Sequence, residues 1–181
     1  MNEAETVYTP RDPNAPYNFG PISQRDETFY TCERPGHPGK AGVSTEDVDA
    51  WIQFMLSKGV GNVLMVMDDD EFDIYDFDVK QYCEEKGIKV YHIPFSSEGS
   101  YEKTMEVVQD VEARGEKIVS HCTGGSGRCV RVGCAWLCKK WSMSPIEASQ
   151  DSIDQAVENG LSRLGDVKKL KSWIGYSSDY S

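Results

Sequence analysis

The sequence contains no apolar run long enough to cross a membrane, and it is poor in basic residues. Its 181 residues include 19 lysines and arginines against 30 aspartates and glutamates, so the formal net charge at pH 7 is -11. A membrane helix needs about 18 consecutive apolar residues, and binding to a nucleic-acid backbone depends on an excess of positive charge. We therefore expect no membrane and no nucleic acid as the main partner.

No framework of paired cysteines and no secretory signal is visible in the sequence. The six cysteines are not arranged as in small disulfide-rich secreted proteins, and residues 1–5 carry neither a basic segment nor an apolar one. We therefore expect a cytoplasmic protein with reduced thiols. With 39% hydrophobic residues, the chain is long enough for one well-packed domain and too short for two, and we expect it to act as a monomer.

The most informative stretch is a glycine-rich segment between a strand-like run and a helix-like run. It reads His121-Cys122-Thr123-Gly124-Gly125-Ser126-Gly127-Arg128. Small residues let successive backbone N–H groups turn inward, and the planar fork of an arginine can hold two phosphate oxygens. A helix that begins at the end of the segment adds the positive end of its dipole. We interpret the segment as a phosphate-binding loop.

A cysteine at the centre of such a loop is expected to be ionised. The pKa of a cysteine at a helix N-terminus or beside a cation can fall from about 8.5 to roughly 3.5–7.5. Cys122 is therefore the predicted nucleophile at neutral pH, and Arg128 is the predicted clamp for the phosphoryl group.

This loop resembles the signature of the cysteine-dependent protein tyrosine and dual-specificity phosphatases, His-Cys-x-x-Gly-x-x-Arg followed by Ser or Thr. The matching positions are His121, Cys122, Gly125 and Arg128. The resemblance extends over roughly residues 20 to 175, although only the loop is specific. It implies a phosphomonoester hydrolase that acts through a cysteinyl-phosphate on phosphotyrosine or phosphoserine/threonine in a protein substrate, with no metal and no cofactor.

The resemblance also assigns roles within the loop. Cys122 attacks phosphorus in line, Arg128 and the loop amides hold the equatorial oxygens, and His121 orients the loop through hydrogen bonds. The implied substrate-binding residues are His121, Thr123, Gly124, Gly125, Ser126 and Gly127.

The sequence departs most from the family pattern at the position of the proton donor. The resemblance implies an aspartate shortly after Ile93-Pro94, but Ser97 occupies that place, and a hydroxyl is too weak an acid. Three alternatives are open: Glu98 donates the proton, an acid from Asp68–Glu71 does, or no general acid exists. We rank Glu98 first. Because general-acid catalysis contributes ~10²–10⁴-fold, its absence would mean a slow enzyme or a substrate with a good leaving group.

Cys129 is a second departure, because the family has a hydroxyl residue there. The hydroxyl helps to expel the cysteine in the second step, and a thiol is a weaker hydrogen-bond donor. Cys129 or Cys83 is also a candidate partner for a disulfide with an oxidised Cys122. A role for Cys129 as a small apolar filler is equally compatible with the sequence.

Two other functions share these features. One is a weakly active or inactive phosphate-binding module, which the missing aspartate and Cys129 favour. The other is a rhodanese-like sulfurtransferase, which also uses a loop cysteine. The His-Cys start of the loop and the spacing to Arg128 favour the phosphatase.

Strand-like and helix-like segments alternate along the chain, which predicts an α/β fold. The sheet is expected to be mostly parallel, flanked by helices on both faces, with a short antiparallel N-terminal edge. The predicted strands are 21–23, 28–31, 60–67, 88–93 and 117–120, and the predicted helices are 48–56, 79–86, 100–114, 130–141, 145–157 and 166–174.

The expected domain covers residues 21–175. Residues 1–20, with three prolines, are predicted to be an irregular N-terminal arm, and residues 176–181 a frayed tail.

The acidic run Asp68–Glu71 follows the central strand. Ligands bind at the carboxyl ends of the strands in open α/β sheets, although a solvated loop is the simpler interpretation of this run.

Overall fold

The computed structural model describes residues 1–2 and 5–176 of the chain. The strands are β1 (Thr6–Tyr8), β2 (Gly20–Pro21), β3 (Phe29–Cys32), β4 (Val60–Met65), β5 (Lys89–His92), β6 (Lys117–His121) and β7 (Leu164–Asp166). The α-helices are α1 (Thr45–Ser57), α2 (Val79–Glu85), α3 (Ser100–Ala113), α4 (Arg128–Trp141), α5 (Pro145–Asn159) and α6 (Val167–Ile174). Within these residues, none of the helices has both the length and the apolar character needed to cross a bilayer.

A five-stranded sheet in the order β2-β3-β6-β4-β5 forms the centre of the molecule. Only the edge strand β2 is antiparallel to its neighbour, and the remaining pairs are parallel. The predicted fold class is therefore confirmed. Each strand and helix predicted from the sequence is present, with small shifts at its ends, whereas β1 and β7 were not predicted.

The central strand β4 is buried on both faces, as its apolar sequence predicts. Leu64 and Val66, the latter just beyond the end of the strand, pack with helices α3 to α6. Val63 and Met65 pack with α1 and α2 on the other face. This alternation follows from the two-residue period of a strand. The sheet thus lies between two apolar layers.

The carboxyl ends of the four parallel strands meet at one edge of the sheet. Cys32, Met65 and His92 end strands β3, β4 and β5, and His121 ends β6. Cys32 and Met65 both pair with His121, and Met65 also pairs with His92. The loops that follow these strands are therefore neighbours, although they are far apart in sequence.

The prediction of an irregular N-terminal arm is wrong for part of residues 1–20. Thr6–Tyr8 forms β1, which pairs antiparallel with β7, so that Val7 lies opposite Gly165. Arg11 then forms an ion pair with the buried Glu33, with 2.5 Å between Nη1 and Oε2. The arm is fixed by a partner strand near the other end of the chain, which a local sequence pattern cannot indicate. Apart from Tyr176, the predicted frayed tail lies outside the described residues.

A buried arginine connects the edge of the sheet to helix α5. The side chain of Arg163 is inaccessible to solvent and donates to the carbonyl groups of Pro21 (2.5 Å), Ile22 (3.2 Å) and Ser152 (3.0 Å). It also donates to the hydroxyl of Thr31 at 3.2 Å. Burial lowers the pKa of Arg163 to about 10, so the guanidinium remains charged at neutral pH.

Replacing Arg163 is expected to destabilise the fold strongly. In Arg163→Ala, several buried acceptors lose their donor, each at a cost of about 1–3 kcal/mol, which the relief of burying a cation offsets only in part. We expect the free energy of unfolding in urea to fall by about 2–4 kcal/mol. Arg114→Ala is the matched control, because Arg114 forms surface ion pairs with Asp110 and Glu116 and an exposed hydrogen bond to the Tyr91 hydroxyl, and surface ion pairs contribute little. Equal effects of the two substitutions would contradict this role of Arg163.

Candidate active site

The glycine-rich loop connects the end of β6 to the start of α4, as the sequence predicts. Gly125 has a φ of 73°, in the left-handed region that favours glycine. A Cβ added there would lie 2.5 Å from the backbone carbonyl carbon of Cys32. Any other residue would push the loop away from the end of β3. The close approach of these two backbones therefore requires glycine at this position.

The carbonyl groups of the loop are bonded on its outer side. The carbonyl of Thr123 accepts from Arg34 N (3.0 Å), that of Gly124 from Asn18 Nδ2 (3.2 Å) and that of Ser126 from Leu164 N (2.8 Å). In a trans peptide the carbonyl of one residue and the N–H of the next point in opposite directions. The amides that follow these three carbonyl groups therefore face the inside of the loop. Asn18 and Leu164, which the sequence analysis missed, hold this arrangement from distant parts of the chain.

His121 is bonded to the backbone of the loop and carries no charge. Its side chain is buried, and burial lowers its pKa to about 4. Nδ1 lies 3.0 Å from the backbone oxygen of Cys122. Because a carbonyl oxygen only accepts, Nδ1 carries the proton and donates it. The ring also packs edge-on against Trp51, with 6.0 Å between the ring centres.

Cys122 is held as a thiolate although it is only 5% exposed. Burial by itself has the opposite effect on a thiol, since it raises the pKa of Cys134 to about 11 and that of Cys83 to about 12. Cys83 lies in the apolar layer on the opposite face of the sheet, where its thiol stays protonated. The pKa of Cys122 is instead well below the usual value. Groups around its sulfur must therefore outweigh the effect of burial.

Cys129 is the neighbour that contributes most to this stabilisation. Its thiol lowers the pKa of Cys122, and the amides of Cys129 and Gly127 and the charge of Arg128 act in the same direction. The two sulfur atoms lie 3.5 Å apart. Burial raises the pKa of Cys129 well above its usual value, so its thiol keeps the proton and donates it to the thiolate. Of the two candidate disulfide partners in the sequence, Cys129 is therefore the one whose sulfur contacts that of Cys122.

Arg128 is paired with a carboxylate that the sequence analysis did not assign to it. Glu71, on a 3-10 turn after β4, accepts from Nη1 of Arg128 with Oε2 and from Nη2 with Oε1, the latter at 2.6 Å. The Thr123 hydroxyl also donates to Oε1 of Glu71 at 3.1 Å. The hydrogen bonds from Arg128 lower the pKa of Glu71 to about 2, so Glu71 is ionised at neutral pH.

The ion pair leaves Arg128 able to bind a phosphoryl group. A guanidinium carries five N–H groups, and Glu71 accepts one from each terminal nitrogen. Nη2 also donates to the Thr123 hydroxyl at 3.4 Å. The N–H of Nε and the second N–H of Nη1 are available for a second acceptor. Glu71 thus fixes the position of the guanidinium at the rim of the loop.

The structure brings Cys122, Arg128 and the loop amides together but does not hold the Glu98 carboxylate against them. Glu98 is exposed, and its backbone oxygen accepts from Lys103 Nζ at 2.8 Å. Within the described part of the chain, its carboxylate forms no hydrogen bond or ion pair. The hydroxyl of Ser97 donates to the carbonyl of Pro94 at 2.7 Å. Glu98 therefore remains a prediction from the sequence.

Comparison with known proteins gives matches at the level of structure. No family model matches the sequence, and no curated protein matches it. Kinase associated phosphatase, solved with a serine in place of its catalytic-site cysteine, is 18% identical, with a TM-score of 0.67 over 93% of this chain and 94% of that one. The chain has the fold of the protein tyrosine and dual-specificity phosphatases.

Two further phosphatases share this fold. Tk-PTP in its active form is 23% identical, with a TM-score of 0.58 over 86% of this chain and 94% of that one. PTPMT1, solved in complex with PI(5)P, is 14% identical, with a TM-score of 0.62 over 87% of this chain and 94% of that one. At these identities the likeness is one of fold, and the assignment of chemistry depends on the site itself.

Cys122 is expected to be the first cysteine that iodoacetamide alkylates. Its lowered pKa means that the thiolate is already formed at neutral pH, whereas burial raises the pKa values of Cys83, Cys134 and Cys138. Mass spectrometry of the folded protein should show a Cys122 alkylation rate that is nearly constant between about pH 7 and pH 9, across the usual thiol pKa of about 8.5. The unfolded protein is the control and should be alkylated at all its cysteines. A rate for Cys122 that rises through the usual thiol pKa would contradict a stabilised thiolate.

Proposed function

We propose that the protein is a phosphomonoester hydrolase that acts through a cysteinyl-phosphate on phosphotyrosine or phosphoserine/threonine in a protein substrate. The observation that supports this proposal most directly is the buried thiolate of Cys122, which is surrounded by hydrogen-bond donors, with Arg128 at the rim of the same loop. A nucleophile and a site for the phosphoryl oxygens are thereby combined within one short loop. The phosphatase fold supports the same chemistry.

In the proposed first step, Sγ of Cys122 attacks phosphorus while the bond to the leaving oxygen breaks. The inward amides of the loop and Arg128 bind the equatorial oxygens, where negative charge is spread in the transition state. The leaving oxygen takes a proton from an acid. His121 is not that acid, because it is neutral and donates its only N–H to a backbone carbonyl.

In the proposed second step, water attacks the cysteinyl-phosphate and Cys122 leaves as a thiolate. The thiol of Cys129 donates to this thiolate, which is the role that the resemblance assigns to a hydroxyl. The donor is weaker than a hydroxyl, but it lies against the departing sulfur. This arrangement supports hydrolysis of the intermediate despite the departure from the family pattern.

The charges around the loop favour a substrate with a single phosphate group. The residues between Cys122 and Arg128 are all uncharged, and Glu71 balances the charge of Arg128. PTPMT1, which shares the fold, was solved with the phosphoinositide PI(5)P. A phosphoinositide is therefore the appropriate comparison substrate, and we expect a phosphopeptide to be turned over faster.

We propose that the protein acts as a monomer in the cytoplasm.

Two other functions from the sequence remain to be compared by experiment. A phosphate-binding module would bind phosphate or vanadate without turning over an aryl phosphate. A sulfurtransferase would transfer sulfur from thiosulfate to cyanide. We expect hydrolysis of a chromogenic aryl phosphate and no sulfur transfer, because Arg128 and the inward amides suit a phosphoryl group.

The substitutions Cys122→Ser and Arg128→Lys are each expected to abolish hydrolysis of an aryl phosphate. The first removes the thiolate, and the second removes the planar fork that lysine cannot replace. For each we expect the value of kcat/KM to fall by at least about a hundredfold, comparable to the loss of a transition-state donor. Cys138→Ser is the matched control, because Cys138 lies on α4 away from the loop. Near-normal turnover in Cys122→Ser or Arg128→Lys would contradict the proposed chemistry.

A further inference from the structure

The proposed reaction needs an acid for the leaving oxygen, and the two protonatable side chains bonded to Arg128 and Cys122 do not supply one. Glu71 is ionised because both of its oxygens accept from Arg128. Burial keeps the proton on the Cys129 thiol. The structure places a further carboxyl group beside the guanidinium of Arg128, that of Asp68.

Asp68 lies between Arg128 and the loop after β5, which is the loop in which the family resemblance implies an acid. It follows β4, and its side chain is 36% exposed. Its Oδ2 lies 3.9 Å from Nη1 of Arg128. Its Oδ1 accepts from the hydroxyl of Ser96 at 2.6 Å. Ser96 belongs to the loop after β5 and precedes Ser97, the position at which the resemblance implies an aspartate. The bond to Ser96 therefore brings the Asp68 carboxyl group to that part of the loop.

Several contacts fix the backbone on either side of Asp68. Its own N–H donates to Oε2 of Glu71 at 2.8 Å. The carbonyl of Met67 lies 2.9 Å from Nε2 of His92, which donates to it. A reacting group must be held within about 0.5 Å of its productive position. Asp68 is attached to Arg128 through Glu71 and to strand β5 through His92, so its position is coupled to that of the clamp.

We infer that Asp68 is the general acid of the proposed phosphatase reaction, held in place by Ser96. The inference rests on the proposed function. In the first step, the Asp68 carboxyl group gives its proton to the leaving oxygen as the S–P bond forms and the P–O bond breaks. In the second step, the Asp68 carboxylate takes a proton from the attacking water as the S–P bond breaks, and free phosphate is released. The carboxyl group is restored at the end of the cycle.

The other nearby acids are placed less well for this role. Glu98 is exposed, and its carboxylate is not bonded to the loop. The side chain of Asp69 is 85% exposed, and its Oδ1 lies 3.8 Å from Nδ1 of His92. Asp68 is therefore favoured by its contacts over its neighbour in sequence and over the acid ranked first from the sequence.

The test compares wild-type protein with Asp68→Asn on a series of phosphate esters. The esters range from an aryl phosphate with a nitrophenol-like leaving group to phosphotyrosine and phosphoserine peptides. An acid matters most when the leaving group is poor. In Asp68→Asn, we expect kcat/KM to fall by about tenfold or more for the phosphopeptides, the low end of general-acid effects, with little change for the activated ester.

Three further variants make the result specific. Asp73→Asn removes an exposed carboxylate from the same turn and should leave the whole series unchanged. Ser96→Ala removes the hydrogen bond to Oδ1 but keeps the carboxyl group, so it should reproduce part of the leaving-group dependence even if Asp68→Asn folds poorly. Glu98→Gln tests the rival acid, and leaving-group dependence in this variant but not in Asp68→Asn would overturn the inference.

Two outcomes separate the inference from the function on which it rests. Equal losses for all esters in Asp68→Asn, with normal folding by circular dichroism, would overturn the role of Asp68 and leave the phosphatase proposal intact. A wild-type protein that hydrolyses none of the esters would contradict the proposed function, and the role of Asp68 with it. Leaving-group dependence in Asp68→Asn and Ser96→Ala, with no change in Asp73→Asn, is the result we expect.

Discussion

The site depends on stabilising one negative charge in a place that is almost closed to water. Burial alone raises the pKa of a thiol, as it does for Cys83 and Cys134. Cys122 is also buried, yet its pKa is lowered, because a thiol, two backbone amides and a guanidinium stabilise the charge on its sulfur. Hydrogen bonds to the carbonyl groups of Thr123, Gly124 and Ser126 support this arrangement, because they turn the amides that follow them towards the inside of the loop.

The fold produces this concentration of donors from simple rules. A buried parallel strand ends at His121, a helix begins at Arg128, and the segment between them must reverse its path within a few residues. Bonds from Arg34, Asn18 and Leu164 to the outer carbonyl groups then turn the intervening amides inward. The N-terminal arm and the last strand are thus part of the support of the site.

Two of the many acidic residues of the chain lie at the site, beside Arg128. Glu71 holds the guanidinium of Arg128 in position and balances its charge, and Asp68 lies beside the pair. Such a site attracts a phosphate dianion less strongly at long range than an uncompensated arginine would. The proposal that Asp68 donates a proton follows from its contacts with Arg128 and Ser96.

Much of the fold and the centre of the site could be predicted from the sequence because their causes are local. The period of the apolar residues defines most helices and strands, and the loop residues are consecutive. The contacts of Glu71 with Arg128 and of Asp68 with Ser96 join segments that are far apart in sequence, so no local pattern could assign them. The acidic run Asp68–Glu71 after a buried strand was the signal that the sequence offered. It indicated the edge of the sheet at which the site lies, but it did not show which of the acids contacts Arg128.

The central claim is that Cys122 forms a covalent bond to phosphorus, and trapping that intermediate tests it most directly. The wild-type protein should be mixed with an aryl phosphate, quenched in acid during the first turnover and digested for mass spectrometry. The account predicts a phosphoryl group on the peptide that contains Cys122, absent in Cys122→Ser. Rapid hydrolysis by the wild-type protein with no phosphoryl group on Cys122 at any time would contradict it.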